Sequence, residues 1–275
     1  MTSRSDSCLD KSFGVGSGFF PSRHWLAWVV LVVCSGLLGC ATGPSPDDML
    51  KSQKEYELAV GLWQEQNTPG TFQHLFIAIG LDNDNAPAHQ MLGNLYLFRG
   101  EWSKAEKHLR EVIRIQKRSP DARNSLGVLY IHQGHYDKAI AELKIATEDL
   151  LNREPHLAWG NLGWAYYEKK MYADSEMALR QSVRAEPRFC VGYFRLGQTL
   201  SAMKNYEEAE KALTAGLEVN DKSCQGLQEA WQLRGQTRAH LGRREDAVAD
   251  FERCIELKPE TEVGKSCNRQ LQAGH

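Results

Sequence analysis

No stretch of eighteen or more consecutive apolar residues occurs in this 275-residue chain, which argues against a standard transmembrane helix. There is no excess of basic charge: 33 Lys and Arg stand against 35 Asp and Glu, so nothing draws the chain to nucleic acid. Catalytic signatures are missing too. HExxH, GxSxG and the P-loop do not occur, and the carboxylates are scattered over helix faces as solvating groups. The chain reads as a non-enzyme with no cofactor. His132 and His135, in "HQGH", have no further ligands nearby, so no metal is expected. Composition is near the globular average, with 42% hydrophobic and 25% charged residues. Length permits one or two domains, and the body after Cys40 is long enough to bury roughly 70% of the surface that its unfolded chain exposes.

The N-terminus carries a signal. In "RHWLAWVVLVVCSGLLGC", Arg23 and His24 precede an uncharged apolar segment from Trp25 to Val33, and small residues follow near Gly39. That order matches a secretory signal. Its end, Leu37-Leu38-Gly39-Cys40, resembles the bacterial lipobox. The resemblance implies cleavage after Gly39 and lipidation of Cys40; multiple acyl chains would hold the protein to a membrane stably. Ala41, where an Asp would signal inner-membrane retention, implies the outer membrane. An uncleaved short anchor or a buried helix remains the alternative. The 22 residues ahead of Arg23 make a long leader.

The body repeats one motif. Leu-Gly pairs or their equivalents place anchors at Gly93, Gly127, Gly163, Gly197 and Gly235, with a weaker first copy on Ala59. The spacings are 34, 34, 36, 34 and 38 residues. Twelve residues past each anchor stands a small residue: Thr71, Ala105, Ala139, Ser175, Ala209 and Ala247. Four further on stands a large apolar one: Leu75, Leu109, Leu143, Leu179, Leu213 and Phe251. Thirty-four residues is the tetratricopeptide period, and the pattern resembles that family. The resemblance implies an all-α solenoid of six helix-turn-helix repeats, each burying its apolar face on a neighbour. Arg234 stands where Leu is usual, which is expected to weaken the sixth register. The first repeat lacks the Gly and carries "NTPG", so its inter-helix turn is expected to be irregular. The chain then divides into a signal segment (1–39), an anchored tether (40–50), six repeats (51–262) and a polar cap (263–275).

After cleavage at Cys40, four further cysteines remain. Cys190 starts the first helix of the fifth repeat and Cys224 lies past the end of its second; antiparallel packing sets those ends side by side. Cys254 similarly faces the cap that carries Cys267. Pairing 190–224 and 254–267 is the favoured connectivity in an oxidising compartment, against four free or buried thiols.

In the tetratricopeptide register the first helix of each repeat lines a concave face. Its inward residues here include Trp63, Asn94, Leu97, Phe98, Val128, Ile131, Trp164, Tyr167 and Phe194, with Tyr56, Gln90, Asn124 and Gln198 among the remainder. Contiguous apolar and aromatic groups point to a protein partner, an apolar strand or amphipathic segment; packing between repeats is the alternative for several of them. The whole layout, and "HLAWGNLGWAYYEKKMYADSEMALRQSVRAEPRFCVGYFRLG" over 156–197 above all, resembles the type IV pilus biogenesis lipoproteins, the PilF/PilW and Tgl family. That resemblance implies a monomeric outer-membrane adaptor, a pilotin, whose partner is the pilus secretin. Another periplasmic repeat lipoprotein, in envelope assembly or polysaccharide export, is the second reading.

Overall fold

The computed structural model describes residues 43–273, so the signal segment and Cys40 lie outside the described residues. Fourteen helices and no strands are present among the described residues. The paired helices are α1 (Pro46–Gln64) with α2 (Thr68–Leu81), α3 (Ala86–Phe98) with α4 (Trp102–Ile115), and α5 (Pro120–His132) with α6 (Tyr136–Glu148). Next come α7 (Pro155–Glu168) with α8 (Tyr172–Ala185), and α9 (Cys190–Ala202) with α10 (Tyr206–Leu217). The short α11 (Lys222–Gln225) precedes the pair α12 (Gln228–His240) and α13 (Arg244–Leu257), and α14 (Glu262–Ala273) closes the stack. The all-α repeat expectation is met. Helix α1 begins inside the stretch expected as tether: Pro46 opens it, and Asp47 and Asp48 suit its positive first turn.

The anchors work by close approach. A Cβ placed on Gly93 would lie 2.7 Å from the Leu109 side chain, and one on Gly163 or Gly197 would lie 2.5 Å from Leu179 or Leu213. The large residue sixteen positions on thus fills the space that a glycine side chain leaves. In the first repeat Ala59 and Leu75 are both fully buried, so the pair tolerates one extra methyl there.

The turn inside each repeat needs one left-handed residue, seven positions past the anchor. It is Gly100 (φ 71°), Gly134 (72°), Lys170 (62°), Lys204 (62°) and Gly242 (76°) in the last five repeats. In the first it is Gln66, at φ 61°. Its N–H donates to Trp63 O at 3.0 Å and the next N–H to Leu62 O at 2.8 Å, as Gly100 and Glu101 donate to Leu97 and Tyr96. The expected irregular first turn is therefore absent: the fold imposes the same turn at a local cost of about 1 kcal/mol for a non-glycine residue. Asn67 caps α2 through Gly70 N, and Asn85 caps α3 through Ala88 N.

One inter-helix pair recurs, four positions before and fifteen after the anchor. It is Glu55–His74 at 2.5 Å, His89–His108 (Nδ1 to Nδ1) at 2.9 Å and Arg123–Glu142 at 2.7 Å in the first three repeats. The last three carry Trp159/Ala178, Tyr193/Ala212 and Trp231/Asp250 at these positions. Burial, reinforced by the neighbouring His89, pulls His108 down to about 4, and burial also lowers His89. Both rings are therefore neutral at pH 7, one donating to the other.

The sixth repeat corrects a second expectation. Arg234 does not loosen it. The guanidinium is buried and grips Asp250 at 3.0 and 2.7 Å, and Nη1 reaches Thr214 Oγ1 at 3.2 Å. Arg238 joins Asp250 to Glu210 at 2.9 Å each, so the cluster ties the fifth repeat to the sixth.

Two departures from the 34-residue period are insertions. Residues 149–154 form a loop on which Leu150 is 94% exposed. Helix α11 brings Cys224 to Cys190, with Cα atoms 5.6 Å apart in a disulfide. A second disulfide joins Cys254 of α13 to Cys267 of α14, with Cα atoms 6.4 Å apart.

Candidate protein-binding surface

First helices of successive repeats meet directly, α3 with α5, α5 with α7, α7 with α9 and α9 with α12, so they line one continuous inner side. At its start a cleft of about 860 Å³ opens. Tyr56 and Trp63 of α1 and Gln90, Met91, Asn94 and Phe98 of α3 line it. Gln116 and Arg118 contribute from the α4–α5 connection, Pro120 and Asp121 from the start of α5, and Leu151 and Arg153 from the inserted loop. Phe98 is 84% exposed, Leu151 65% and Trp63 42%. Apolar side chains left this open around a concavity are of the kind that protein-binding surfaces use.

The inserted loop is held in place. Asp149 accepts from Leu151 N at 2.9 Å and from Arg118 Nη2 at 3.0 Å. Those two contacts, the backbone one first, keep its carboxyl below the usual range. Asn152 Nδ2 donates to Ala146 O at 2.9 Å.

Beyond the cleft the inner side turns polar. Ser125 donates to Asn94 at 2.8 Å, Gln90 to Ser125 at 3.3 Å, and Asn161 to Asn124 at 3.0 Å. A smaller cleft of about 330 Å³ opens among Gln90, Asn94, Asn124 and Asn152. Further along α7, Trp164 stacks on Tyr167 with centroids 4.9 Å apart, and Tyr172 tilts against Tyr167 at 5.6 Å. Burial, then Tyr172 and Glu168, raise the Tyr167 pKa.

The nine inward residues therefore do not form one strip. Trp63, Asn94 and Phe98 gather at the cleft. Leu97 and Ile131 pack against the main core, and Phe194 against Leu213, Leu217 and Ala230. Val128 is half-buried. Trp164 and Tyr167 form a separate aromatic stack. The expected contiguous apolar lining is interrupted by amides, because residues at equivalent positions of successive first helices change type.

Sequence reasoning missed Leu151 and Arg195. The first was signalled by the 36-residue spacing between Gly127 and Gly163. The second has no periodic signature, standing where Asn161 stands one repeat earlier. His132 stacks on Trp102 at 5.4 Å, and His135 stands at the N-cap position just before α6. No group of three His, Cys, Asp or Glu side chains among the described residues is arranged to hold a metal. No described helix is long and apolar enough to cross a membrane.

Two family models, both described as tetratricopeptide repeat, match the chain: one over residues 91–155 and 133–188, the other over 192–223 and 228–261. Among solved structures, one from the functional characterization of Pseudomonas aeruginosa PilF matches with a TM-score of 0.70 at 18% identity, covering 82% of this chain and 99% of that one. PilW, described as a widely conserved type IV pilus biogenesis factor, matches with a TM-score of 0.70 at 18% identity, covering 78% and 97%. YrrB, described as a tetratricopeptide protein with an unusual peptide-binding site, matches with a TM-score of 0.54 at 17% identity, covering 71% and 97%. No curated protein matches. Identities this low show the fold.

Proposed function

The chain belongs to the tetratricopeptide repeat family, and from that premise we propose that it is an outer-membrane lipoprotein adaptor, a pilotin for type IV pilus biogenesis. Its inner groove docks a segment of the secretin and promotes the ring's assembly or localisation. A scaffold of stacked repeats acts by protein–protein contact. The observation that carries the reading is the cleft between α1, α3 and the inserted loop, where Trp63, Phe98 and Leu151 stand open. The fold shared with PilF and PilW supports it. So do the two disulfides, which persist in an oxidising compartment.

Phe98 gives the direct test. Since it is 84% exposed, Phe98→Ala is expected to leave stability within about 0.5 kcal/mol. As an anchor in the cleft, its loss is expected to weaken the contact by about 30-fold. Secretin multimers on a gel would fall while the thermal midpoint stays put. Unchanged multimers would move the function elsewhere, and a defect in other envelope components would favour the envelope-assembly reading.

The anchor is tested separately. A clickable palmitate analogue is expected to label the wild-type chain, and Cys40→Ala is expected to remove the label completely. Equal labelling of both would remove Cys40 from the proposal.

A further inference from the structure

Arg195, on α9, has no carboxylate partner among the described residues. Its guanidinium lies 5.5 Å over the Trp164 ring. Nη1 donates to Gly160 O at 3.1 Å and to Asn161 Oδ1 at 3.0 Å, both uncharged acceptors. Among the described residues Nε and Nη2 make no hydrogen bond, and neither is a buried unpartnered atom, so both are open to solvent. Other partly or fully buried arginines on first helices are matched: Arg123 with Glu142 at 2.7 Å, Arg234 with Asp250 at 2.7 Å, and Arg238 with Glu210 and Asp250 at 2.9 Å. Burial alone draws Arg195 down to about 10, with no carboxylate near enough to oppose it. A half-buried guanidinium normally meets an acid, because desolvating an unpaired charge is costly.

The geometry points to Arg195 as the receptor for an Asp or Glu side chain on the segment that occupies the inner groove. The planar fork takes a carboxylate at its N–H edge through two parallel hydrogen bonds, while Trp164 packs beside the guanidinium. Polar groups continue on both sides of the site. Asn161 leads through Asn124 toward the cleft, and Gln198, nearly one turn along α9, keeps a buried Oε1 with no partner. A chain passing through the site, its acid on a side chain, satisfies both directions; a chain end would leave one side empty.

This inference rests on the docking reading above, and the test separates the two. Overlapping C-terminally amidated peptides tiling the secretin are presented to the full chain, and the captured peptide is remade with each Asp or Glu changed to Asn or Gln. One neutralisation is expected to weaken wild-type binding by about tenfold or more. Arg195→Gln is expected to bind the charged and neutral peptides alike, at the weakened level, with its thermal midpoint unchanged. Because the peptide substitutions leave the protein untouched, the answer stands even if Arg195→Gln folds poorly. Wild-type binding that ignores every neutralisation overturns the carboxylate receptor while leaving the docking reading intact. Capture seen only with free-acid peptides assigns the site to a chain terminus and overturns the side-chain assignment. If no secretin peptide is captured in either form, the docking reading fails and the inference falls with it.

Discussion

Asp250→Ala is expected to cost about 3–5 kcal/mol of stability, because it strips the counter-charge from a buried guanidinium. Arg234 is held at 3.0 and 2.7 Å by the two Asp250 oxygens, and Arg238 shares one of them at 2.9 Å. Removing the acid leaves Arg234 desolvated, with the Thr214 hydroxyl and the face of the Trp231 ring as its remaining side-chain contacts among the described residues. The repeats themselves supply the rescue. At the two corresponding positions the fourth repeat has Leu162 and Ala178, and the fifth has Leu196 and Ala212. Arg234→Leu combined with Asp250→Ala therefore copies a packing that the chain already uses, and is expected to recover to within about 1.5 kcal/mol of wild type. Urea unfolding followed by circular dichroism measures both variants. A double variant as unstable as Asp250→Ala alone would show that the ion cluster does more than fill the register.

Opening the Cys190–Cys224 disulfide is expected to cost about 3–4 kcal/mol, since it closes a long loop in the unfolded chain. The 34-residue separation spans the whole of the fifth repeat. Cys254–Cys267 closes only 13 residues, so its loss is expected to cost less. Solenoid stability is close to a sum of repeat and neighbour terms. The loss is therefore expected to show as faster hydrogen exchange in α9 to α11, with α3 to α6 unaffected. Non-reducing peptide mapping of oxidised protein checks the pairing itself, and four alkylatable thiols in native protein would sink the prediction.

Anchor, small residue and large residue were legible because each repeat restates them, and six copies agreeing is a signal that single positions never give. The first turn is regular against expectation because a left-handed residue need not be glycine when both flanking helices are held by packing, as at Gln66, Lys170 and Lys204. Arg234 misled for a related reason. An arginine at an apolar register reads as a defect until its partner is known, and Asp250 lies sixteen residues away on another helix. The His89–His108 pair is silent in sequence because neither histidine stands at a position that the repeat pattern marks. The inner face was half legible. Register placed the inward residues, but which of them the neighbouring repeats bury depends on side-chain size one repeat away. That is why Phe98 stands open while Leu97 packs into the core.

Both disulfides lie in the C-terminal three repeats and the closing helix, whereas packing and polar contacts alone hold the first three together. Mechanically the molecule is a spring bolted at one end. Small rotations at successive repeat interfaces add up along a stack of this kind, and those nearest the bolts are the most restrained. The coils around the α1–α3 cleft carry no such bolt, so a reductant is expected to loosen the far end and leave that opening as it is. Under a pull from residue 43, the chain between Cys190 and Cys224 and between Cys254 and Cys267 is expected to stay withheld from extension until a reductant frees it.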